Sequence, residues 1–165
     1  NVFNALEPHA DPVHNICSNV HNPKEATCGA EGPVNVSDCP TWFARLWEAE
    51  GSWLEKHLGG STADWQVVVT HFPCDFDQRF YKEMHLKYGL DLLVTGHRHK
   101  QELWSHSRHH GGMTCIVTGG GGGITSEGSP SGTSSSMYGF FDLTFSKQRL
   151  RLELIAISGA AIRTT

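Results

Sequence analysis

The sequence predicts an α/β fold with a mixed sheet, on three observations. Two short aliphatic runs, residues 67–70 and 90–95, are typical of buried strands. Between them, a segment that carries Phe80 and Met84 on one helical face stops at Gly89. Beyond residue 100, apolar residues alternate with polar ones, which is typical of antiparallel strands. We therefore expect a layered domain in which the first two strands are parallel and joined by a right-handed crossover.

The first part of the chain, residues 1–39, is predicted to be irregular because it is rich in Asn, Pro, Gly and His and has little apolar periodicity. Cys17, Cys28 and Cys39 lie in this part. Disulfides are a natural way to hold such a segment, and an odd total of 5 cysteines leaves one thiol over. We treat residues 40–165 as the folded remainder.

A helix is predicted to begin near Pro40, a residue tolerated in the first helical turn, and to end at Gly59 and Gly60. We interpret its three tryptophans as packing residues: Trp42, Trp47 and Trp53.

The later strands are predicted from alternating apolar residues and from the turn residues between them. The expected turn of the closing hairpin is at residues 146–148, and the Gly- and Ser-rich stretch 119–136 is expected to be a long loop. The predicted strands are residues 102–105, 113–118, 138–145 and 150–157.

Composition excludes some functions and favours a compartment. A net charge of −4 over 165 residues gives no basic stripe for nucleic acid. The apolar runs are far shorter than the roughly 20 residues of a membrane span. The cysteines and the acceptor sequence at Asn35 predict a glycosylated protein, secreted or in an endomembrane lumen. Residues 1–12 have no signal-peptide pattern and no initiating Met, so we expect a processed or truncated chain.

Three histidines are candidate metal ligands because each follows a predicted strand. His71 follows the first aliphatic run, and His97 and His99 follow the second in the order Gly-His-x-His. Neutral imidazole is a good ligand for zinc and iron, and the sheet beneath would hold the rings rigidly. The one-residue spacing lets the last two rings face different ions.

These motifs resemble those of the purple acid phosphatases, especially the small tartrate-resistant type, within the calcineurin-like metallophosphoesterases. The family's V-x-x-H and G-H-x-H motifs match residues 68–71 and 96–99, and the resemblance extends from about Trp53 to the end of the chain. It implies the C-terminal half of a four-layer αββα sandwich, with a mixed sheet and a closing antiparallel hairpin.

By the same resemblance, His71 and His97 would ligate one ion of a dinuclear centre and His99 the other, with iron beside iron, zinc or manganese. In the family, a metal-bound hydroxide attacks a phosphomonoester. The family's first three motifs, which supply the bridging carboxylate, are not found in residues 1–39. We therefore assign no catalytic residue here, and expect the missing ligands on an N-terminal half or on another chain.

Several alternatives remain open at this point. Arg98, between the paired histidines, could contact phosphate bidentately or point to solvent. The chain could instead be a non-catalytic, phosphatase-derived scaffold subunit. A third hypothesis, a histidine-rich metal-binding or carbohydrate-binding β module, would make residues 106–110 the important ones.

Four further groups are given structural roles. Asp75 and Asp77 are expected to cap a helix. Cys74 and Cys115 are expected to be buried thiols. The glycines 119–123 are expected to let backbone pass close to the metal cleft. The remaining group is predicted to lie in a solvated turn: His106, His109 and His110.

Overall fold

The computed structural model describes residues 5–6, 12–13, 15–121, 138–156 and 158–164. The chain divides into two compact units, residues 1–57 and residues 58–165. In the described part of the chain, no helix combines the length and the apolarity that crossing a bilayer requires.

The first unit contains turns held by a disulfide. Cys17 and Cys39 are bonded, with their Cα atoms 5.5 Å apart, and pack with Ala5 and Phe43 in a small buried cluster. Cys28 is exposed and unpaired. The expectation of a cross-linked segment with one thiol left over is therefore confirmed.

Helix α1 spans Cys39–Gly60, and the boundary between the units falls within its last turn. Its extent agrees with the prediction to within one residue at the start. Trp53 is 60% exposed and stacks on His57 four residues later, with ring centroids 4.1 Å apart. The interpretation of Trp53 as a packing residue is wrong, because Trp53 and His57 share a face of the helix and both are exposed.

The second unit begins with a four-stranded mixed sheet in the order β1-β2-β4-β3. Strands β1, β2 and β4 are parallel, and β3 runs antiparallel to β4. Helix α2 connects β1 to β2, as the sequence predicts, and Gly89 ends it in the left-handed conformation. The elements are β1 Val67–Val69, α2 Gln78–Tyr88, β2 Leu92–Thr95, β3 Gln101–Trp104 and β4 Thr114–Thr118.

Three antiparallel strands follow: β5 Gly139–Phe145, β6 Leu150–Ala156 and β7 Ala161–Thr164. The turn between β5 and β6 lies where the sequence predicts it, and Ser146 N donates to the Arg149 carbonyl at its base. Strand β7 was not predicted from the pattern of apolar and polar residues. Residues 122–137, most of the predicted glycine- and serine-rich loop, lie outside the described residues.

The core of this unit lies between its two sheets. Leu92 of β2, Ile116 of β4 and Leu152 of β6 form one buried cluster, and side chains of both sheets pack around it. The fold class is therefore α/β, with a mixed sheet packed against an antiparallel one, as predicted.

Candidate metal centre

Two of the three candidate histidines meet at one edge of the mixed sheet. His71 and His97 each follow a strand by two residues, and those strands are parallel neighbours with Val69 paired to Val94. Because parallel strands end at the same edge, both rings emerge together. His71 Nε2 and His97 Nδ1 are 3.1 Å apart.

The backbone around this pair is fixed by hydrogen bonds that extend the sheet. Thr70 N donates to the Val94 carbonyl at 2.9 Å, and Gly96 N donates to the His71 carbonyl at 3.1 Å. His97 then adopts a left-handed conformation with φ of 66°. This conformation is uncommon for a residue other than glycine, so the surroundings must hold it.

The distance between the two ring nitrogens fits a shared metal ion. Nitrogen ligands lie about 2.0–2.1 Å from zinc, so two ligands of one ion separated by about 90–110° stand about 2.8–3.4 Å apart. Burial lowers the pKa of His97, and the nearby His71 and His99 lower it further, so the neutral ring is favoured. Metal binding requires that neutral form.

The third histidine does not complete a ligand set. His99 is close enough to lower the pKa of His97. Nevertheless, the residues that the structure describes contain no group of three or more His, Cys, Asp or Glu side chains arranged to hold a metal. The donors present fit half of a metal site, and its remaining ligands would lie elsewhere.

Arg98 is held by carboxylates on both sides. Its Nη2 lies 2.5 Å from Asp75 Oδ2, and its Nη1 lies 3.1 Å from Glu102 Oε2. Partial burial lowers the pKa of Arg98, but the two carboxylates outweigh this and raise it. The expectation of Asp75 as a helix cap is wrong, because this ion pair draws it away from α2. Asp77 does cap α2, accepting from Phe80 N at 3.3 Å.

A disulfide ties the loop after β1 to the centre of the sheet. Cys74 and Cys115 are bonded, with Cα atoms 5.9 Å apart and no exposed surface. The expectation of two buried thiols is wrong, because the loop after His71 folds back over β4. A separation of 41 residues gives no local signal of this pairing.

Gly119 lies against the turn that carries the histidines. A Cβ atom at Gly119 would lie 1.8 Å from the Arg98 carbonyl oxygen. The expected close approach of backbone is therefore found at Gly119, and residues 122–123 of the same glycine run lie outside the described residues.

The histidines of the turn between β3 and β4 differ from one another. His106 and His109 are exposed, as predicted, but His110 is fully buried. The turn Arg108–His110 packs against α2, and the His110 ring lies 6.3 Å from that of Trp104. Sequence reasoning missed this burial because polar residues and glycines flank His110 and give no apolar pattern.

The predicted glycosylation acceptor, Asn35, lies half-buried in the turn before α1. Its Oδ1 accepts a hydrogen bond from Asp38 N at 2.9 Å. Together with Ser37 it borders a surface cavity of about 330 Å³.

Comparison with known proteins finds similarity in sequence over a short segment and similarity in fold over a longer one. No family model matches the chain. Threonine–tRNA ligases from two strains of Dehalococcoides mccartyi are 36% identical over 61 residues, which are 35% of this chain and 10% of theirs. The chain thus spans about a tenth of the length of the curated relatives it matches.

Among solved structures, a purple acid phosphatase from yellow lupin (Lupinus luteus) seeds is similar, with a TM-score of 0.50 and 22% identity. The similarity covers 68% of this chain and 27% of that one. At this identity the comparison shows the fold alone. The chain therefore has a fold like part of that phosphatase.

Proposed function

We propose that this chain supplies the histidine half of a dinuclear metal centre in a phosphomonoester hydrolase resembling the purple acid phosphatases. The observation that carries the proposal is the approach of His71 and His97 to 3.1 Å at the ends of two parallel strands. His71 and His97 would hold one ion and His99 the other. The ions, iron with iron, zinc or manganese, would activate water and stabilise negative charge on the phosphate.

The role of this chain's own residues is to present two neutral imidazoles in a fixed geometry. Phe72 is nearly buried, and its ring lies 5.5 Å from that of His71 and 5.6 Å from that of His97. It limits water access and ring rotation on one side of the pair. The lowered pKa of His97 reduces competition between protons and a metal ion.

Catalysis requires carboxylate ligands in addition to these imidazoles. The chain spans 27% of the lupin phosphatase. We infer that an N-terminal half of the same protein, or a second chain, supplies the bridging carboxylate and completes the site for a phosphomonoester. The two disulfides suit an extracellular or lumenal compartment, where Asn35 would be glycosylated.

The alternative is a non-catalytic scaffold subunit that keeps the phosphatase fold. One observation favours it: within the described residues, no complete metal-ligating group is found. Metal binding by the histidine pair distinguishes the two functions, because a scaffold has no need of that pair.

The test is titration of the purified chain with Zn²⁺ and Co²⁺, followed by calorimetry and by the visible spectrum of cobalt. We expect His71→Ala and His97→Ala to weaken binding by more than about tenfold, since removal of even supporting residues costs about 10- to 100-fold. His57→Ala and His106→Ala, at exposed positions, are matched controls. Circular dichroism verifies that each variant is folded.

Two results would overturn the proposal. Absence of metal binding by the wild-type chain and by its mixture with an N-terminal half would favour the scaffold. Loss of binding in His106→Ala, but not in His71→Ala, would favour the histidine-rich β module.

A further inference from the structure

We propose that Arg98 is a positioning residue, which fixes the turn carrying His97 and His99 by bridging Asp75 and Glu102, and that it does not bind phosphate. This inference concerns the site of the proposed function and rests on it for the metal-binding part. Its structural part concerns the metal-free chain and stands without a metal.

The bridge uses both amino groups of the guanidinium. Nη2 donates to Asp75 Oδ2, and Nη1 donates to both Glu102 oxygens at 3.1 and 3.2 Å. Arginine presents its donors in a rigid fork, so two carboxylates on opposite sides fix its orientation. A phosphate would have to displace one of these carboxylates to be bound bidentately.

The Glu102 arm of the bridge is anchored to the sheet. Glu102 lies in β3, paired with Val117 of β4, and its side chain is only 16% exposed. Trp104 Nε1 donates to Oε2 at 2.8 Å, and Lys100 Nζ lies 2.8 Å from Oε1. The carboxylate therefore has little freedom to leave Arg98.

The Asp75 arm is anchored through its neighbour in the chain. Cys74 is bonded to Cys115 in β4, so the loop that carries Asp75 is held against the same strand that supports Glu102. Arg98 thus connects the loop after β1 to strand β3. The turn between His97 and His99 lies inside this connection.

The turn needs such support because its backbone is unusual. His97 has a φ of 66°, and the Arg98 carbonyl is pressed against Gly119. Without the bridge, the turn is free to relax to commoner conformations. The separation between His71 and His97 nitrogens would then no longer be fixed.

The test compares Arg98→Gln, Arg98→Lys and Asp75→Asn with Arg151→Gln, a matched control. Arg151 pairs with Glu153 on the second sheet, away from the histidines. The first readout is amide hydrogen exchange of residues 96–100 in the metal-free chain. The second is the affinity for Zn²⁺, and the third is the affinity for inorganic phosphate.

We expect Arg98→Gln to speed exchange of residues 96–100 at least tenfold and to weaken Zn²⁺ binding by about 10- to 100-fold. Arg98→Lys should behave much like Arg98→Gln in both amide exchange and Zn²⁺ affinity, because a single ammonium does not span two carboxylates. Asp75→Asn removes one arm only and should give a smaller change, which keeps the test informative if Arg98→Gln does not fold. Arg151→Gln should match the wild type.

Unchanged exchange in Arg98→Gln and Asp75→Asn would overturn the inference. So would loss of phosphate affinity in Arg98→Gln that Arg98→Lys restores, since that pattern indicates a phosphate-binding cation. If the wild-type chain binds no Zn²⁺, the proposed function fails, but faster exchange in the variants would still support the bridge.

Discussion

The carbonyl oxygen of Arg98 and the α-carbon of Gly119 are in direct contact, so that a Cβ atom at Gly119 would lie 1.8 Å from that oxygen. The contact brings the end of β4 against the turn that carries the histidines. Only a residue without a side chain fits there.

Gly119→Ala should therefore destabilise the protein by about 1–3 kcal/mol, the usual cost of inserting a methyl group into a packed site. The measurement is urea unfolding followed by fluorescence. Gly121→Ala is the matched control, because a Cβ there would meet nothing within 4 Å. A stability change of less than about 0.5 kcal/mol in Gly119→Ala, typical of open surface positions, would contradict the contact.

Removal of the Cys74–Cys115 disulfide should lower the free energy of unfolding by about 4 kcal/mol, because the bond closes a loop of 41 residues in the unfolded chain. The double variant Cys74→Ala, Cys115→Ala tests this by urea unfolding. Cys28→Ala is the control and should leave stability unchanged, since that thiol is exposed and unpaired.

Alkylation of the unreduced, unfolded protein should add one adduct, because Cys28 is the single free thiol, and full reduction should raise the number to 5. Intact mass spectrometry measures both numbers. Three adducts before reduction would show that one of the disulfides is absent.

The stability of the protein should fall as the solution becomes acidic, in part because of His110. Burial lowers the pKa of His110 below 6.5, the nearby His109 and His85 lower it further, and the Cys74 backbone opposes the change. Neither ring nitrogen has a hydrogen bond of normal geometry within the described residues. Below about pH 6.5, His110 is protonated in the unfolded chain but stays neutral in the folded chain. The free energy of unfolding therefore decreases as the pH falls towards the lowered pKa.

His110→Phe should remove this contribution, which reaches at most about 1.4 kcal/mol per pH unit for one proton. The measurement is urea unfolding between pH 7.5 and pH 5. His109 is exposed and supplies the control. His109→Gln should keep most of the wild-type change in the free energy of unfolding with pH. Identical slopes in His110→Phe and the wild type would show that His110 is not buried in the neutral form.

Asp77→Ala should destabilise α2 by about 1 kcal/mol, because the carboxylate accepts the Phe80 N–H at the start of the helix. Asp77 also has a φ of 38°, which Asn tolerates and Ala does not. Asp77→Asn should therefore retain nearly full stability in thermal unfolding. Equal losses in both variants would argue against a capping role.

The regular elements could be predicted from the sequence because helix and strand periodicity are local properties. The C-terminal ends of α1 and α2 could be predicted because glycines lie there: Gly59 and Gly60 in α1, and Gly89 after α2. Strand β7 was missed because its four residues show no clear alternation. The exposure of Trp53 and the burial of His110 depend on which surfaces meet in the folded chain, and periodicity does not determine that.

The histidine pair could be predicted because it depends only on two strands being parallel neighbours. The partners of Arg98 could not, since Asp75 precedes it by 23 residues and reaches it through the path of a loop. The same holds for Cys74 and Cys115, whose approach depends on that loop folding over β4. Sequence patterns thus identify the groups at the site but not the contacts that support them.

Strand β1 forms one border of the mixed sheet, and within the described residues its backbone pairs on one side only, with β2. Val67 and Val69 are 37% and 75% exposed. The outer backbone N–H and C=O groups of such a border can pair with an added strand, and the length of only three residues limits this pairing. We expect Val69→Lys to reduce any pairing of this border with a strand of another molecule, which light scattering at high protein concentration would measure.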